Sequence, residues 1–300
     1  IHLDIRMRYM NPIRRVVRPA AARMRVPVTA VFFFKRGSSK NRFKVFYSGE
    51  RRRSTKFRQK GSGKVRAERL VYADHSATTR LDPRVLHKMM PYLQGEYGNA
   101  SSLYRIGRRS REAVEEARKQ VAECLSAQPE EIFFTSCGTE SDNWAIKGVA
   151  EQYASRGRHI ITTAVEHHAV LHACAHLERQ GYTVTYLPVD GEGCVQLAAL
   201  ERALRSDTIL VSVMMANNEV GTLEPIANIR DILRPRGILL HVDAVQAAGH
   251  LPLDVTDLGA DLLSLSAHKF YGPKGVGCLY IRKGVQMPSF LDGGAQERGM

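Results

Sequence analysis

One lysine and one histidine stand where an apolar run gives way to a glycine-rich turn. Asp261-Leu-Leu-Ser-Leu reads as a short buried strand that ends at Ser266-Ala-His268-Lys269. The turn Gly272-Pro-Lys-Gly275 follows, and a second apolar run, Val276 to Ile281, leaves in strand-like fashion. In open α/β sheets, ligands bind beyond the carboxyl ends of the strands. A lysine amine held there can condense with a carbonyl, provided its surroundings favour the neutral amine. By position alone a lysine beside a turn is ordinary solvated surface, so the other strand ends decide between the two readings.

Four other segments carry groups of the right kind. Ser136-Cys-Gly138-Thr139-Glu140 opens a helix, and a glycine and a hydroxyl at a helix start offer free amides that suit a phosphate. The same residues also fit an N-cap at Ser136 or Thr139 with an acid in the first turn. His241-Val-Asp243-Ala-Val-Gln246 ends an apolar strand on a carboxylate. Burying that carboxylate is costly unless a cation, such as a protonated ring nitrogen, or a set of donors answers it; a helix N-cap is the plain alternative. In Glu166-His167-His168 an imidazole could stack on an aromatic ligand or shuttle a proton, or simply be solvated. Ala216-Asn-Asn218-Glu-Val-Gly221 fits turn chemistry, or an amide set against a ligand hydroxyl.

These segments need a scaffold that brings them together. Strand-like runs at Glu131–Thr135, His159–Thr163, Thr183–Leu187, Thr208–Met214, Ile238–Val242 and Leu262–Leu265 alternate with helical stretches near 139–154, 168–179, 197–205 and 225–234. That alternation predicts an α/β fold, a mainly parallel sheet flanked by helices on both faces. Upstream, Asp82-Pro83 is a helix start, with Val85, Met89 and Leu93 at helical spacing. A longer helix over Arg108–Leu125 is expected to bury Ala113, Ala117, Val121 and Leu125 on one face. Five parallel strands would then deliver a phosphate cradle, a stacking histidine, an asparagine, an aspartate with a glutamine, and a lysine to one sheet edge. That inventory suits pyridoxal 5'-phosphate, with the lysine as Schiff-base partner and the acid facing the ring nitrogen.

Composition bounds the rest. Three hundred residues can bury a large core in one or two domains. The formal charge of +14 is unevenly spread. Residues 1–70 hold 21 Lys+Arg against 3 Asp+Glu, leaving 23 basic and 27 acidic residues in 71–300. The basic pI therefore says nothing about what the body binds. Residues 1–70 read as a basic head: a disordered or extraneous extension, an Arg-rich transit segment, or a nucleic-acid arm. The five cysteines (Cys124, Cys137, Cys174, Cys194, Cys278) form no Cys-x-x-Cys pair and no metal spacing, which fits a reducing compartment. No apolar run approaches the roughly 20 residues needed to span a bilayer.

Several segments, in order over about 70 to 300, resemble NifS-like cysteine desulfurases of the class V aminotransferase fold (fold type I). They are Tyr72-Ala-Asp-His-Ser-Ala-Thr-Thr79, Tyr97-Gly-Asn-Ala-Ser-Ser102, Phe134-Thr-Ser-Cys-Gly-Thr-Glu-Ser-Asp-Asn143, Val165-Glu-His-His-Ala-Val-Leu171, Asn217-Asn-Glu-Val-Gly-Thr222, His241-Val-Asp-Ala-Val-Gln246, Ser266-Ala-His-Lys-Phe-Tyr-Gly-Pro-Lys-Gly275 and Gly293-Gly-Ala-Gln-Glu-Arg-Gly299. The resemblance implies a seven-stranded large domain over 71–300 that binds pyridoxal phosphate. It implies Lys269 as the Schiff-base lysine and proton carrier. Gly138 and Thr139, helped by Ser266 and His268, would hold the phosphate. His167 would stack on the ring and assist acid–base steps, Asp243 would pair with the ring nitrogen, and Gln246 and Asn218 would contact the ring hydroxyl side. The implied reaction converts L-cysteine to L-alanine, with sulfur passed as a persulfide to an iron–sulfur scaffold or tRNA-thiolation acceptor. The resemblance further implies a homodimer in the cytoplasm, or in mitochondria if the head is a transit segment.

The sequence departs from that pattern at several points. None of the five cysteines occupies the family's persulfide position, and Cys137 stands where the family usually has glycine. The small C-terminal domain and the segment that follows Gly299 in the family are also not in these 300 residues. The expectation is a truncated chain that binds the cofactor weakly and does not transfer sulfur. Two other classes stay open: another class V enzyme (an aminotransferase or selenocysteine lyase), and a non-catalytic protein whose working part is the basic head.

Overall fold

A computed structural model describes residues 71–294 and 296–300. The basic head and its boundary at residue 70 lie outside the described residues. Asp74–Met300 forms one compact unit.

Helix α1 spans Pro83–Gln94, and its start is the one expected: the Asp82 carboxylate accepts from the Arg84 amide at 2.7 Å, with proline at the first helical position. Val85, Met89 and Leu93 hold the expected spacing, yet no residue of α1 is buried. Helix α2 spans Arg105–Leu125, one turn longer at its start than expected. Its buried positions are Gly107, Arg118, Ala122 and Leu125, so of the expected stripe only Leu125 is fully covered. Ala113 and Ala117 instead line an open cleft against α1. Arg118 takes the deep side because its guanidinium is paired to Glu297, at 2.8 and 2.9 Å, and donates to the Ile132 carbonyl at 2.7 Å. Hydrophobic periodicity cannot register a paired arginine.

The sheet follows: β1 (Ile132–Thr135), α3 (Gly138–Gln152), β2 (His159–Thr163), α4 (His168–Glu178), β3 (Thr183–Leu187), α5 (Leu197–Ala203), β4 (Thr208–Met214), α6 (Ile226–Leu233), β5 (Leu239–Asp243), α7 (Val255–Leu258), β6 (Leu262–Ser266) and β7 (Gly277–Ile281). Glu131 falls outside β1, in a short turn where its carboxylate accepts from the Gln128 amide at 2.8 Å. The seven strands lie in the order β1-β7-β6-β5-β4-β2-β3. Neighbours from β6 through β5, β4 and β2 to β3 are parallel. Strand β7 is antiparallel to both β6 and β1. No crossover helix joins β6 to β7, so the chain can only turn back. The double reversal leaves β1 pointing the same way as β2 to β6, and the ends of β1, β2, β4, β5 and β6 share one edge.

Alternation along each strand builds a core on each face. Ile161, Val211, Val213, Leu240, Val242 and Leu263 pack with residues of α2, α5, α6 and α7. Ile160, Leu210, Leu239, Leu262 and Leu279 pack with Trp144, Ile146 and Val149 of α3 and Val170, Ala173 and Leu177 of α4. The strands end polar on this second face. Leu210, Leu239 and Leu262 are succeeded two residues on by Ser212, His241 and Ser264, all buried.

Candidate active site

Helix α3 begins directly after β1, and its cap residue, Cys137, makes no side-chain bond to the first turn. Ser136 instead pairs with the Glu140 carboxylate. The N-cap expected at Ser136 or Thr139 is therefore not formed. The helix start is pressed against the ends of two other strands. A Cβ placed on Gly138 would lie 2.6 Å from Val245 Cγ2 and 3.4 Å from Ser266 Cβ. Only glycine lets the first amides of α3 sit this close to the ends of β5 and β6.

Strand β5 ends at Asp243, which is buried and accepts from the Val245 amide at 2.9 Å. Burial raises its pKa to about 6, partly offset by that amide and by the charge of Lys269. Gln246 donates to the Ser76 carbonyl at 2.9 Å. Lys269 follows β6 in a short helical turn, and its amine donates to the carbonyls of Ser76 and, at 3.1 Å, of Ala77. Partial burial lowers the lysine pKa, while Asp243 and Asp74 pull the other way. That is the shift an amine nucleophile requires. His268 Nδ1 meets Thr78 Oγ1 at 3.0 Å, and the His268 carbonyl accepts from the Thr79 amide and hydroxyl at 2.8 and 2.9 Å. The segment Ser76–Thr79 thus clamps the lysine turn. From sequence alone that segment carries no assigned role.

His167 caps α4, its Nδ1 accepting from the Ala169 amide at 3.1 Å, so the neutral ring carries its proton on Nε2. Partial burial and the charge of Lys269 hold its pKa down. A depression of about 410 Å³ starts at Thr139 and His167 and runs along the α3–α4 groove past Lys147, His172 and His176. The larger cleft of about 880 Å³, between α1 and α2, contains none of the candidate residues. Asn218 is the outlying member, its amide nitrogen donating to Glu219 at 3.0 Å. Asn217, not singled out from sequence, builds that loop: its side-chain oxygen accepts from the amides of Glu219 and Val220, and its nitrogen donates to the Val165 carbonyl at 3.0 Å.

An open helix start, a buried carboxylate and a lysine of lowered pKa thus meet at one sheet edge. The family model for aminotransferase class-V matches residues 71–299.

The chain belongs to that family.

Two curated relatives are named cysteine desulfurase IscS. The protein from Methanosarcina thermophila is 57% identical over 228 residues, and that from Clostridium botulinum 54% over 229. The matches take in 76% of this chain and 56% and 58% of those proteins, so the chain spans little more than half their length. A solved structure described as a NifS-like protein superposes with a TM-score of 0.74 at 49% identity, covering 75% of this chain and 62% of that one. Another, described as SspA in complex with cysteine, gives 0.74 at 38% identity, covering 76% and 66%.

Within this class V fold the sequence reading missed a buried polar layer beneath the edge. Thr162 Oγ1 donates to the Ser212 carbonyl at 2.9 Å, Ser212 Oγ meets His241 Nδ1 at 2.8 Å, and His241 Nε2 meets Ser264 Oγ at 2.9 Å. The signal was available in part: Ser212, His241 and Ser264 each interrupt an apolar run, and Thr162, Ser212 and His241 are in register across β2, β4 and β5. Asp142 of α3 and Glu166 before α4 are buried against this layer.

Proposed function

We propose that this chain binds pyridoxal phosphate and carries the substrate-activating site of a cysteine desulfurase, the site at which L-cysteine is activated for conversion to L-alanine, while the thiol that takes the sulfur as a persulfide is not among its five cysteines. The observation that carries this reading is the contact of Gly138 with Val245 and Ser266, which holds an uncapped helix start between a carboxylate and a lysine. The residues present fit the cofactor. The first amides of α3, Thr139, Ser266 Oγ and the Nε2 of His268 are donors for a phosphate. Asp243 would answer a protonated ring nitrogen, and His167 would cover the ring. Gln246 and Asn218 would approach the ring hydroxyl. Lys269 would hold the cofactor.

The bound cofactor supplies an electron sink for a substrate carbon that loses a proton. Lys269 Nζ would take up that proton and return it. His167 Nε2 is the second proton carrier. The Ser76 and Ala77 carbonyls hold the lysine amine by hydrogen bonds and would orient it between proton transfers. The acceptor thiol is not furnished by Cys174 or Cys278, because burial pushes both up to about 12. The SspA structure bound to cysteine supports the substrate assignment.

The test adds pyridoxal phosphate to the protein and to Lys269→Ala and records the visible absorption band. The expected result is a band that L-cysteine perturbs and the variant lacks. A band of equal intensity in the variant would overturn the assignment. Formation of a keto acid from L-cysteine, rather than alanine, would mark an aminotransferase.

A further inference from the structure

Three carboxyl groups lie buried together under this edge: Asp142 at 1% exposure, Glu166 at 4% and Asp243 at 4%. They come from α3, from the loop between β2 and α4, and from the end of β5. Asp142 Oδ1 has no hydrogen-bond partner among the described residues. Its nearest cationic candidate, His241 Nε2, is 3.7 Å away and already engaged by Ser264. Both His241 nitrogens are satisfied by serines, and burial drives its pKa down to about 3, so the ring is neutral. Glu166 Oε1 accepts from Thr163 Oγ1 at 2.7 Å and from the Met214 amide at 3.0 Å, but Oε2 has no partner among the described residues. Asp243 faces Lys269, the cation of the group.

We propose that these three carboxyls carry a single negative charge, held on Asp243, and that Asp142 and Glu166 stand beneath it as neutral acids that position and isolate that charge.

An ionised carboxylate with an unpartnered oxygen in this interior would lack both solvent and a counterion. Among the described residues the titratable groups facing Asp142 include Asp243, Glu166, His241 and Cys137, and those facing Glu166 include Asp142, Asp243, Glu224 and Cys174; none of these supplies a positive charge. Desolvation raises Asp142 well above the usual range, opposed in part by the Ser264 hydroxyl, and takes Glu166 to about 8. Asp243 differs in having the Val245 amide on one oxygen and Lys269 across from it. Protonated, the two carboxyls carry no charge to repel the ionised Asp243. Asp142 and Glu166 are positioning residues, since they act on the ring-facing group and not on a ligand. This consequence for the cofactor rests on the function proposed above; the charge assignment itself does not.

The test begins with the cofactor-free protein. Infrared spectra at neutral pH should show protonated-carboxyl absorption, and Asp142→Asn and Glu166→Gln should each remove part of it. Its absence, or its survival in both variants, overturns the proposal. In the cofactor-loaded protein, Asp142→Asn replaces a neutral acid by a neutral amide. The pH midpoint of the visible band should then stay within a few tenths of a unit of wild type. A fall of more than one unit would mean that an anion had been removed, and would overturn it too. If the protein takes up no cofactor, the infrared result still decides the charge assignment. If it takes up cofactor but shows no protonated carboxyl, only the charge assignment falls.

Discussion

Gly138 is the residue on which the site's geometry turns. The contact a methyl group would make at 2.6 Å is with Val245, a β-branched side chain with little rotamer freedom, whose amide is bonded to Asp243. Gly138→Ala therefore has to lift the first turn of α3 or move the residue that pins the buried carboxylate. The expected cost in stability is about 1–3 kcal/mol, as for other overpacked sites, read as a shift in the urea midpoint. Binding of pyridoxal phosphate should weaken by about tenfold or more, corresponding to the loss of roughly one good phosphate contact. Pyridoxal without its phosphate should lose much less, so paired titrations identify the phosphate as the group displaced. At this scale the sequence was informative about residue types and poor about partners. Lys269, Asp243, Gly138 and Thr139 stand at strand and helix ends where their neighbours announce them. Asp142 and Glu166 were invisible as buried acids, because an acid early in a helix reads as ordinary helix-start chemistry and one in a strand-to-helix loop reads as solvated surface.

The element that closes β1 makes a second prediction. Strand β1 is at the edge of the sheet, and its Phe134 amide is satisfied at 2.8 Å by Glu297, not by another strand. Glu297 is held in turn by Arg118 of α2, which also lies 4.9 Å over the Phe134 ring. Replacing Arg118 by methionine keeps much of the volume and leaves Glu297 without its cation. Because Glu297 is partly exposed, the cost should sit near the lower end for a broken buried pair, about 2–3 kcal/mol. Adding Glu297→Gln should recover part of that loss, and a double-mutant cycle on urea midpoints should give a coupling of about 1–2 kcal/mol. The elements themselves were legible. Period-2 and period-3.6 patterns located every strand and most helix boundaries to within about three residues. They could not give the reversed direction of β7, which depends on the missing crossover, nor the buried face of α2, which depends on an ion pair to a residue 179 positions away.

Across the whole molecule, the polar layer sets how stability depends on pH. His241 is buried neutral with its pKa lowered to about 3, so the fold loses stability as pH falls below 6.5, where the unfolded chain takes up a proton that the folded chain refuses. Glu166 works in the opposite sense. Its pKa is raised from 4.5 to about 8, so between those values the unfolded chain has released a proton that the folded chain still holds, and stability falls as pH rises. Below 6.5 the two trends oppose each other. Above 6.5 the histidine trend fades as the unfolded imidazole gives up its proton, and the carboxyl trend dominates toward pH 8. In that window each carboxyl held protonated contributes a slope of roughly 1.4 kcal/mol per pH unit. Urea unfolding of the cofactor-free protein at pH 6.5, 7.2 and 8 should therefore show falling stability. Glu166→Gln should reduce the slope by about one proton's worth while keeping the hydrogen-bonding shape of the neutral acid. A slope unchanged by that substitution would show that Glu166 is ionised in the folded protein at neutral pH. The difference between variant and wild type isolates this group from every other titrating residue in the chain, including those of the basic head.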